Sequence, residues 1–314
     1  MSARTRVAVV GAGQSCEHDV SLASAAAVAQ ALDPSSFEAV RLTIDRDGTW
    51  RDAGGRPIGL AGAVHVLAGC DVVFPMVHGP HGEDGTLAAL CELAGLPYVG
   101  SGLGAGALAM DKWATKLLAA SLGLATAPGR LVTAGTAAAE RYDHPVVVKP
   151  VAAGSSLGVS LVTRADDLTP ALEAALALDT RALVEDVVHG REVDVAVLRR
   201  ADGSLEVSPA LEIVADGLFD HAAKYGGHAD FRVPAALTDI ERKGLEDAAV
   251  ATYQALGCSG VARVDFFVTD DGPVLGEVNT VPGMTEHSQV PRMFAAAGLS
   301  YADLLAELVR GVTR

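Results

Sequence analysis

Short apolar runs alternate with longer amphipathic or alanine-rich segments along most of this chain. The runs at 6–10, 71–77, 96–100, 145–150 and 182–188 are typical of buried strands. The segments between and after them predict helices over 19–31, 86–94, 107–122, 238–256, 289–297 and 301–310. Antiparallel strands are expected at 191–198 and 205–211. This order of elements indicates a fold of the α/β (α+β) class.

The run 259–280 predicts the β-hairpin around which the chain is organised. Side chains alternate between the two faces of a strand, so Arg263 and Asp265 share one face, and Glu277 and Asn279 share one by the same rule. A three-residue loop at 270–272, with its glycine in the left-handed position, sets Asp265 opposite Glu277 and Arg263 opposite Asn279. A two-residue turn shifts the register by one and separates them. The longer loop is therefore the hypothesis.

With that register, two carboxylates and an amide oxygen converge, because facing residues have Cβ atoms about 5 Å apart. Carboxylates this close repel each other unless a cation lies between them, and Mg²⁺ prefers oxygen ligands with room left for water and phosphate. Asp265, Glu277 and Asn279 are the candidate metal ligands. Arg263 beside them would stabilise negative charge developing on a substrate oxygen. The alternative is an exposed hairpin with solvated acids.

Composition narrows the classes of function that remain. A chain of 314 residues has room for two or three domains. The formal charge of -15 argues against nucleic acid or an anionic membrane surface as a partner. The four cysteines are too scattered for a zinc site and too few for a disulfide scaffold. The N-terminus leads straight into a strand, without the apolar core of a signal peptide, and no run is long enough to span a membrane. A cytoplasmic enzyme is expected.

Two loops that follow predicted strands are candidates for ligand binding. The turn at 11–13 and the helix after it resemble a dinucleotide fingerprint, but Cys16 stands where the third glycine belongs, so a nicotinamide cofactor has little support. Glu17 at the helix N-terminus either receives an ammonium group or is only a favourable acid of the first turn. The loop 78–85 is dense in glycine, histidine and acids, as ligand sites at strand ends are; the alternative is a surface turn.

The glycine and serine loop at 154–158 lies between two predicted strands, which suggests a flap whose backbone N–H groups close over phosphates. It also matches the nucleophile elbow of serine hydrolases, but that motif needs a helix after it, and in this chain the β-branched run 159–163 follows. There is no P-loop motif. Of five lysines, Lys112, Lys149 and Lys224 lie in candidate ligand-binding motifs, although an isolated lysine is usually a solvated surface residue. The segment 217–233 predicts a lid over the site.

Eight motifs in this order resemble the D-alanine:D-alanine ligases of the ATP-grasp superfamily over nearly the whole chain. They are the segments 14–21, 78–85, 110–112, 148–150, 154–158, 223–225, 263–265 and 277–285. The resemblance implies a three-domain ATP-grasp fold. Its expected parts are an N-terminal Rossmann-like domain at 1–104, a central ATP-grasp subdomain with the flap at 105–184, and a C-terminal subdomain with the lid and the metal site at 185–314.

The resemblance also implies an activity and its partners. ATP would phosphorylate the carboxylate of one D-alanine, and the amine of a second D-alanine would displace the phosphate, giving a precursor of peptidoglycan. It implies two Mg²⁺ ions, with Mn²⁺ possible in their place, and a homodimer; the absence of a nucleic-acid or membrane partner is expected from the net charge. Phosphoryl transfer depends on positioning and charge neutralisation more than on a protein nucleophile, which agrees with a site made of lysines, an arginine, acids and glycine loops.

Carried over by motif, the family's roles fall on the following residues. ATP would contact Lys112, Lys149, Ser155, Ser156, Glu185, Val188, Glu192 and Lys224. The metal ions would be held by Asp265, Glu277 and Asn279. Glu17 would bind the first ammonium group in a hydrogen-bonded set with Ser155 and Tyr225, while Arg263 and the N–H of Gly283 would stabilise the oxyanion. The second subsite would be lined by His78, Ser288 and Gln289.

Three positions depart from the family pattern. Cys16 is unusual in its loop and is interpreted as a small packing residue, with an accessible thiol as the alternative. Ala153 stands where a glutamate often precedes the flap, and Gln289 replaces a more usual apolar residue beside the second subsite. Gln289 keeps D-lactate or D-serine open as the second substrate, or a paralogue that serves antibiotic self-resistance, whereas Tyr225 favours the peptide-forming type. A nucleotide-binding regulatory protein that has lost catalysis is disfavoured by the complete set of acids, arginine and lysines. An oxidoreductase rests on the glycine turn at 11–13 alone.

Overall fold

The computed structural model describes residues 4–214 and 230–313, which form three β-sheets with helices packed against them. The strands of the first sheet are β1 (Thr5–Ala12), β2 (Phe37–Ile44), β3 (Trp50–Arg51) and β4 (Val72–Met76), with helices α1 (His18–Ala31), α2 (Gly59–Leu67) and α3 (Thr86–Leu93). Their order in the sheet is β3-β2-β1-β4. β1 pairs in parallel with β2 and β4 and is buried on both faces, as apolar parallel strands are. The expected strand at 96–100 is reduced to one bridge between Val73 and Tyr98.

The single helix expected over 107–122 is wrong, because two helices occupy this segment. α4 (Leu103–Met110) and α5 (Lys112–Ser121) meet at Asp111, whose backbone is extended with φ -80° and ψ 95°. Its carboxylate accepts a hydrogen bond from the N–H of Ala114 at 2.9 Å, which is an N-cap that starts α5. Lys112 is therefore the first residue of a helix and not a residue of a helix interior.

The second sheet is antiparallel throughout. Its strands are β6 (Gly129–Thr133), β7 (Val146–Pro150), β8 (Ser160–Val162) and β9 (Arg181–Asp186), covered by α6 (Ala165–Leu176) and a short 3₁₀ turn (Ala137–Ala139). Their order in the sheet is β6-β9-β7-β8. The glycine and serine loop joins β7 to β8, as the flap hypothesis requires. A strand follows it where a hydrolase elbow needs a helix.

The third sheet is the largest of the three. Its strands are β5 (Ala125–Thr126), β10 (Arg191–Arg199), β11 (Leu205–Val207), β12 (Leu211–Val214), β13 (Asp230–Arg232), β14 (Val261–Thr269) and β15 (Gly272–Asn279). They follow the path β13-β12-β10-β14-β15-β5, with β11 beside β10. Helices α7 (Asp239–Leu256), α8 (Gln289–Ala296) and α9 (Tyr301–Arg310) complete the described chain. The single strand expected over 205–211 is instead two short ones.

β10 separates the core of this sheet from the site. Val193, Val195 and Val197 are fully buried in the cluster that also contains Leu245 of α7. Side chains alternate along a strand, so Glu192 and Asp194 face the other way. α7 begins with a capping box, in which the Thr238 hydroxyl and the Glu241 carboxylate satisfy each other's backbone N–H groups.

The predicted register of the hairpin is confirmed, but the predicted turn is wrong. Asp265 lies opposite Glu277 and Arg263 opposite Asn279. The turn has two residues, 270 and 271, since Thr269 pairs with Gly272. The register is restored by a β-bulge between Asp265 and Phe266, where Gly276 is the extra residue. A Cβ at Gly276 would come within 3.1 Å of the Asp265 carbonyl oxygen, so the bulge favours glycine.

No helix within residues 4–214 and 230–313 is long and apolar enough to cross a membrane. Most of the expected lid, 217–233, falls on residues 215–229, which lie outside the described chain together with Lys224 and Tyr225. The domain boundaries after residues 104 and 184 stay predictions.

Candidate active site

Two cavities meet at the acidic face of β14 and β15. The first has a volume of about 560 Å³ and the second about 580 Å³. Both are lined by Asp265, Glu277 and Lys112. The first also holds Glu17, His78, Ser155, Arg263, Asn279, Gly283, Ser288 and Gln289. The second also holds Lys149, Ser156, Glu185 and Val188, and Glu192 lines both. The residues assigned to amino-acid substrate thus line the first cavity and most of those assigned to ATP line the second, while Lys112 and Glu192 line both and Ser155 lines the first.

The predicted convergence of acids, amide and guanidinium is present in the first cavity. Arg263 donates from Nε and Nη2 to the two oxygens of Asp265, each at 2.7 Å. Asn279 donates from Nδ2 to Asp265 Oδ2 at 2.9 Å, which leaves the amide oxygen of Asn279 directed elsewhere. Burial opposes the charge on Arg263, but the adjacent carboxylate of Asp265 raises its pKa well above the ordinary value. A bidentate pair of this kind fixes the guanidinium in orientation as well as in charge.

Lys112 joins the flap to the acidic face. Its Nζ donates to the carbonyl oxygen of Ala153 at 2.8 Å and lies 3.4 Å from Glu277 Oε2. Because Lys112 begins α5, its ammonium reaches both cavities from the helix N-terminus.

Two lysines converge on one buried carboxylate in the second cavity. Glu185 receives Lys149 at 2.6 Å and Lys116 at 2.7 Å, and Lys116 also donates to the Ala127 carbonyl oxygen. Burial of Glu185 opposes its ionisation, but the two ammonium groups lower its pKa below the ordinary value. Two cations share one anion, so the cluster has one positive charge in excess, and its members Lys149 and Glu185 lie at the wall of this cavity.

Glu17 lies where the flap meets the N-terminal loops. Ser155, at φ 51°, donates its hydroxyl hydrogen bond to Glu17 Oε1. Glu17 Oε2 packs so tightly against two glycines that an added Cβ would lie 2.4 Å away at Gly154 and 2.8 Å away at Gly79. That oxygen is buried and has no hydrogen-bond partner among residues 4–214 and 230–313. A buried, unpaired carboxylate oxygen costs free energy unless a donor reaches it, so the geometry suits a cationic ligand.

His78 is buried and holds the loop after β15 in place. Its Nδ1 lies 2.7 Å from the Val281 carbonyl oxygen, which can only accept, so Nδ1 carries the hydrogen. Nε2 then accepts from the Ser24 hydroxyl at 3.1 Å, and Ser24 in turn accepts from the N–H of Met284 at 3.3 Å. Burial lowers the pKa of His78 from its ordinary value, so the ring is neutral. His78, which follows β4, and Ser24 of α1 thereby hold the loop that carries Gly283 in place.

Glu83 adds a second tie to the same loop. Its carboxylate accepts from the N–H of Gly79 at 3.2 Å and of Val281 at 3.3 Å. Burial, with Glu17 nearby, raises the pKa of Glu83 to about 7.

The end of this loop carries the residues assigned to the second subsite. Ser288 immediately precedes α8, and its hydroxyl accepts from the N–H of Thr285 at 3.0 Å. Gln289 accepts from Arg263 Nη1 at 2.6 Å and donates to Asp194 Oδ2 at 2.7 Å. The amide of Gln289 is therefore part of the Arg263 network.

Sequence reasoning missed Asp194, Lys116 and Ser24, and it included Glu83 only as one acid of the candidate loop 78–85. Two of them carry a signal in the sequence. Lys116 lies four residues after Lys112 on α5, which places both on one helix face. Asp194 lies two residues after Glu192 on β10, and so shares its face. Ser24 has no such signal, because its partners come from distant loops.

The acidic face fits a metal site of mixed ligands. Within the described residues no group of three or more histidine, cysteine, aspartate or glutamate side chains could hold a metal ion. Asp265 and Glu277 supply two carboxylates and Asn279 an amide oxygen. Hard cations such as Mg²⁺ take this set and keep remaining positions for water and phosphate.

The chain matches two family models. The model described as the D-ala D-ala ligase N-terminus matches residues 6–65 and 55–101, and the one for the D-ala D-ala ligase C-terminus matches 125–310. The D-alanine–D-alanine ligase of Mycolicibacterium smegmatis is 43% identical, covering 98% of this chain and 95% of its own.

Solved structures agree in fold. The VanG D-Ala:D-Ser ligase from Enterococcus faecalis is 34% identical with a TM-score of 0.86, covering 99% of this chain and 100% of its own. The D-alanine–D-alanine ligase from Bacillus anthracis, complexed with ATP, is 27% identical with a TM-score of 0.81, covering 98% and 97%. This chain therefore belongs to the D-alanine–D-alanine ligase family and has its ATP-grasp fold.

Proposed function

We propose that this protein is an ATP-dependent ligase that joins two D-alanine molecules into D-alanyl-D-alanine, a precursor of peptidoglycan. The observation that carries the proposal is the pair of adjoining cavities with Asp265 and Glu277 in their common wall. One cavity presents a buried carboxylate oxygen suited to an amino group, and the other presents lysines suited to phosphates. The names of the relatives support the same reaction.

ATP is assigned to the second cavity. Lys112 and Lys149 would contact its phosphates, with the flap residues Ser155 and Ser156 closing over them and Lys224 of the lid adding a third cation. Glu185, Val188 and Glu192 would hold the adenine and ribose. The lysines support this assignment because they bring positive charge to a wall next to the acidic face.

Asp265, Glu277 and Asn279 would hold two Mg²⁺ ions, or Mn²⁺ in their place. When bound, these ions would neutralise the phosphate charge of ATP during transfer. Each oxygen of Asp265 accepts one N–H from Arg263, and Oδ2 also accepts one from Asn279, so Oδ1 has a further lone pair to offer a cation. The Asn279 amide already donates through its nitrogen, which orients its oxygen as a ligand.

The amino-acid substrates are assigned to the first cavity. The ammonium group of the first D-alanine would bind Glu17, whose position is fixed by Ser155 and would be completed by Tyr225 of the lid. Arg263 and the N–H of Gly283 would face the oxyanion. The subsite for the second D-alanine would be lined by His78, Ser288 and Gln289. Both ring nitrogens of the neutral His78 already make hydrogen bonds, so this residue would shape the subsite and not transfer a proton.

The reaction then proceeds in two balanced steps. A carboxylate oxygen of the first D-alanine attacks the γ-phosphorus of ATP, and ADP leaves. The neutral amine of the second D-alanine attacks the acyl carbon, the carbon–oxygen bond to phosphate breaks, and the departing phosphate takes the proton that the nitrogen gives up. Between the attack and the cleavage of the carbon–oxygen bond, Arg263 stabilises the negative charge on the oxygen of the tetrahedral intermediate. Closure of the flap excludes water, which would otherwise hydrolyse the acyl phosphate.

A related ligase that accepts D-serine or D-lactate second, including an antibiotic self-resistance paralogue, is the alternative. Gln289 favours it, since a polar side chain replaces an apolar one at the second subsite, and the VanG structure is a D-Ala:D-Ser ligase. The test is phosphate release with D-alanine alone and with D-alanine plus D-serine or D-lactate, with each product identified by mass. Dominant formation of the D-alanine dipeptide supports the proposal. A mixed product as the major species favours the alternative.

We also propose a cytoplasmic location and a homodimer. All four cysteines are free thiols, which suits a reducing compartment. Sedimentation of the purified protein would test the dimer, and a single monomeric species would contradict it.

A further inference from the structure

Asp194 is a buried carboxylate of the site to which the proposed function gives no role. It lies in the middle of β10, directly opposite Asp265 of β14. Its side chain is 1% exposed. Burying an ionised carboxylate costs several kcal/mol in general, so one that persists inside a site must be held by strong partners.

Those partners connect Asp194 to the arginine assigned to the oxyanion. Gln289 Nε2 donates to Asp194 Oδ2 at 2.7 Å, and Gln289 Oε1 accepts from Arg263 Nη1 at 2.6 Å. Arg263 Nε lies 3.4 Å from the same Asp194 oxygen. The amide thus bridges a carboxylate and a guanidinium, with its donor toward the first and its acceptor toward the second.

Arg263 consequently lies between two carboxylates on neighbouring strands. Asp265 accepts from Nε and Nη2, whereas Asp194 lies 3.4 Å from Nε and reaches Nη1 through Gln289. Directly opposed carboxylates repel, and the guanidinium between them removes that repulsion. Asp265 is also a proposed metal ligand, whereas Asp194 is not. Asp194 can therefore hold the Arg263 guanidinium whether or not Asp265 binds a metal ion.

We propose that Asp194 is a positioning residue for ligation: through Gln289 it fixes the Arg263 guanidinium so that its remaining N–H groups face the reacting oxygen. This rests on the proposed function of Arg263. Stabilisation of a developing charge depends on donors that are already in place, and a long, flexible arginine side chain must be held to serve as one. Gln289 is then the link between the second subsite and the oxyanion site.

The test exchanges the charges of the pair. Asp194→Asn removes the carboxylate, and Gln289→Glu places two carboxylates at hydrogen-bond distance. The double variant D194N/Q289E restores one carboxylate and one amide in reversed order. The introduced amide at position 194 can donate to the introduced carboxylate at 289, which still accepts from Arg263, and the net charge equals that of the parent.

We expect each single variant to lower kcat by about 10- to 100-fold, the effect of a misplaced catalytic group, with KM for ATP nearly unchanged. The double variant should recover most of that loss. Calorimetric ATP binding and urea unfolding separate this from a folding defect, since a merely structural role would lower stability without a selective loss of kcat. If D194N does not fold, Gln289→Met, which removes both hydrogen bonds at similar size, should show the same loss of kcat.

Two results would overturn the proposal. One is an active parent whose kcat is unchanged by D194N, or by Q289M if D194N does not fold. The other is a double variant no better than the poorer single variant. A parent that binds ATP but makes no dipeptide would instead refute the proposed function. The three outcomes are distinguishable because the parent is assayed first.

Discussion

The buried carboxylate Glu185 allows a prediction whose size follows from its surroundings. Glu185→Ala removes the partner of two lysines whose side chains are only 13% and 16% exposed. Lys116 keeps its hydrogen bond to the Ala127 carbonyl oxygen, but Lys149 has no other ion pair within the described residues. Removing one member of a buried ion pair generally destabilises by about 3–5 kcal/mol, because the remaining charge is left without compensation.

We therefore expect Glu185→Ala to lower the free energy of unfolding by about 3–5 kcal/mol in ligand-free protein. Lys116→Met is the matched control. It leaves the pair of Lys149 and Glu185 intact, so it should cost less than Glu185→Ala. The double variant should cost less than the sum of the singles, since Lys116 has already lost its partner when Glu185 is absent.

The assay is urea unfolding, followed by circular dichroism and by tryptophan fluorescence, with the slope m compared between variants. A loss below about 1 kcal/mol for Glu185→Ala, the value of an exposed pair, would refute the reasoning. Strict additivity in the double variant would also refute it, because it would mean that Lys116 and Glu185 do not interact.

Further predictions concern the flap, the pH dependence and the metal. Gly154→Ala should lower kcat/KM for D-alanine about 100-fold while ATP binding persists, because the new Cβ would lie 2.4 Å from a Glu17 oxygen. The control Gly104→Ala, whose Cβ meets open space, should change kcat/KM little, and equal losses in the two variants would contradict this prediction. Glu83 has a folded-state pKa of about 7 against 4.5, so the folded protein binds more protons between those values. Stability relative to Glu83→Gln should thus fall by about 3 kcal/mol as pH rises from 4.5 to 7, and parallel pH curves would argue against it. Asp265→Ala should weaken Mg²⁺-dependent nucleotide binding, and an unchanged calorimetric titration would exclude it as a ligand.

The alternation of residues along strands was enough to predict which acids face each other, but not the turn and the β-bulge that bring them together. The pairing of Asp265 with Glu277 follows from a period of two, and the structure has it. The turn could not be inferred, because a two-residue turn with a bulge at Gly276 gives the same pairing near the site as a three-residue loop. Composition does not reveal where along a strand the extra residue sits.

The parts of the site that sequence reasoning missed depend on distant contacts. The break between α4 and α5 occurs because the Asp111 side chain caps α5. The apolar pattern of the sequence continues through this position, so it gives no sign of the break. Asp194 meets Gln289 across 95 positions of chain, and Ser24 meets Met284 across 260. Motifs carry no information about such pairs, since each partner is ordinary in its own segment.

The central claim, ligation through an acyl phosphate, is tested most directly by the fate of the carboxylate oxygens. D-alanine with both carboxylate oxygens replaced by the heavy isotope is incubated with ATP and Mg²⁺, and the phosphate and peptide are analysed by mass. The account predicts one labelled oxygen in each inorganic phosphate released and one fewer in the peptide's amide carbonyl than in the starting carboxylate. Unlabelled phosphate beside fully formed dipeptide would contradict it.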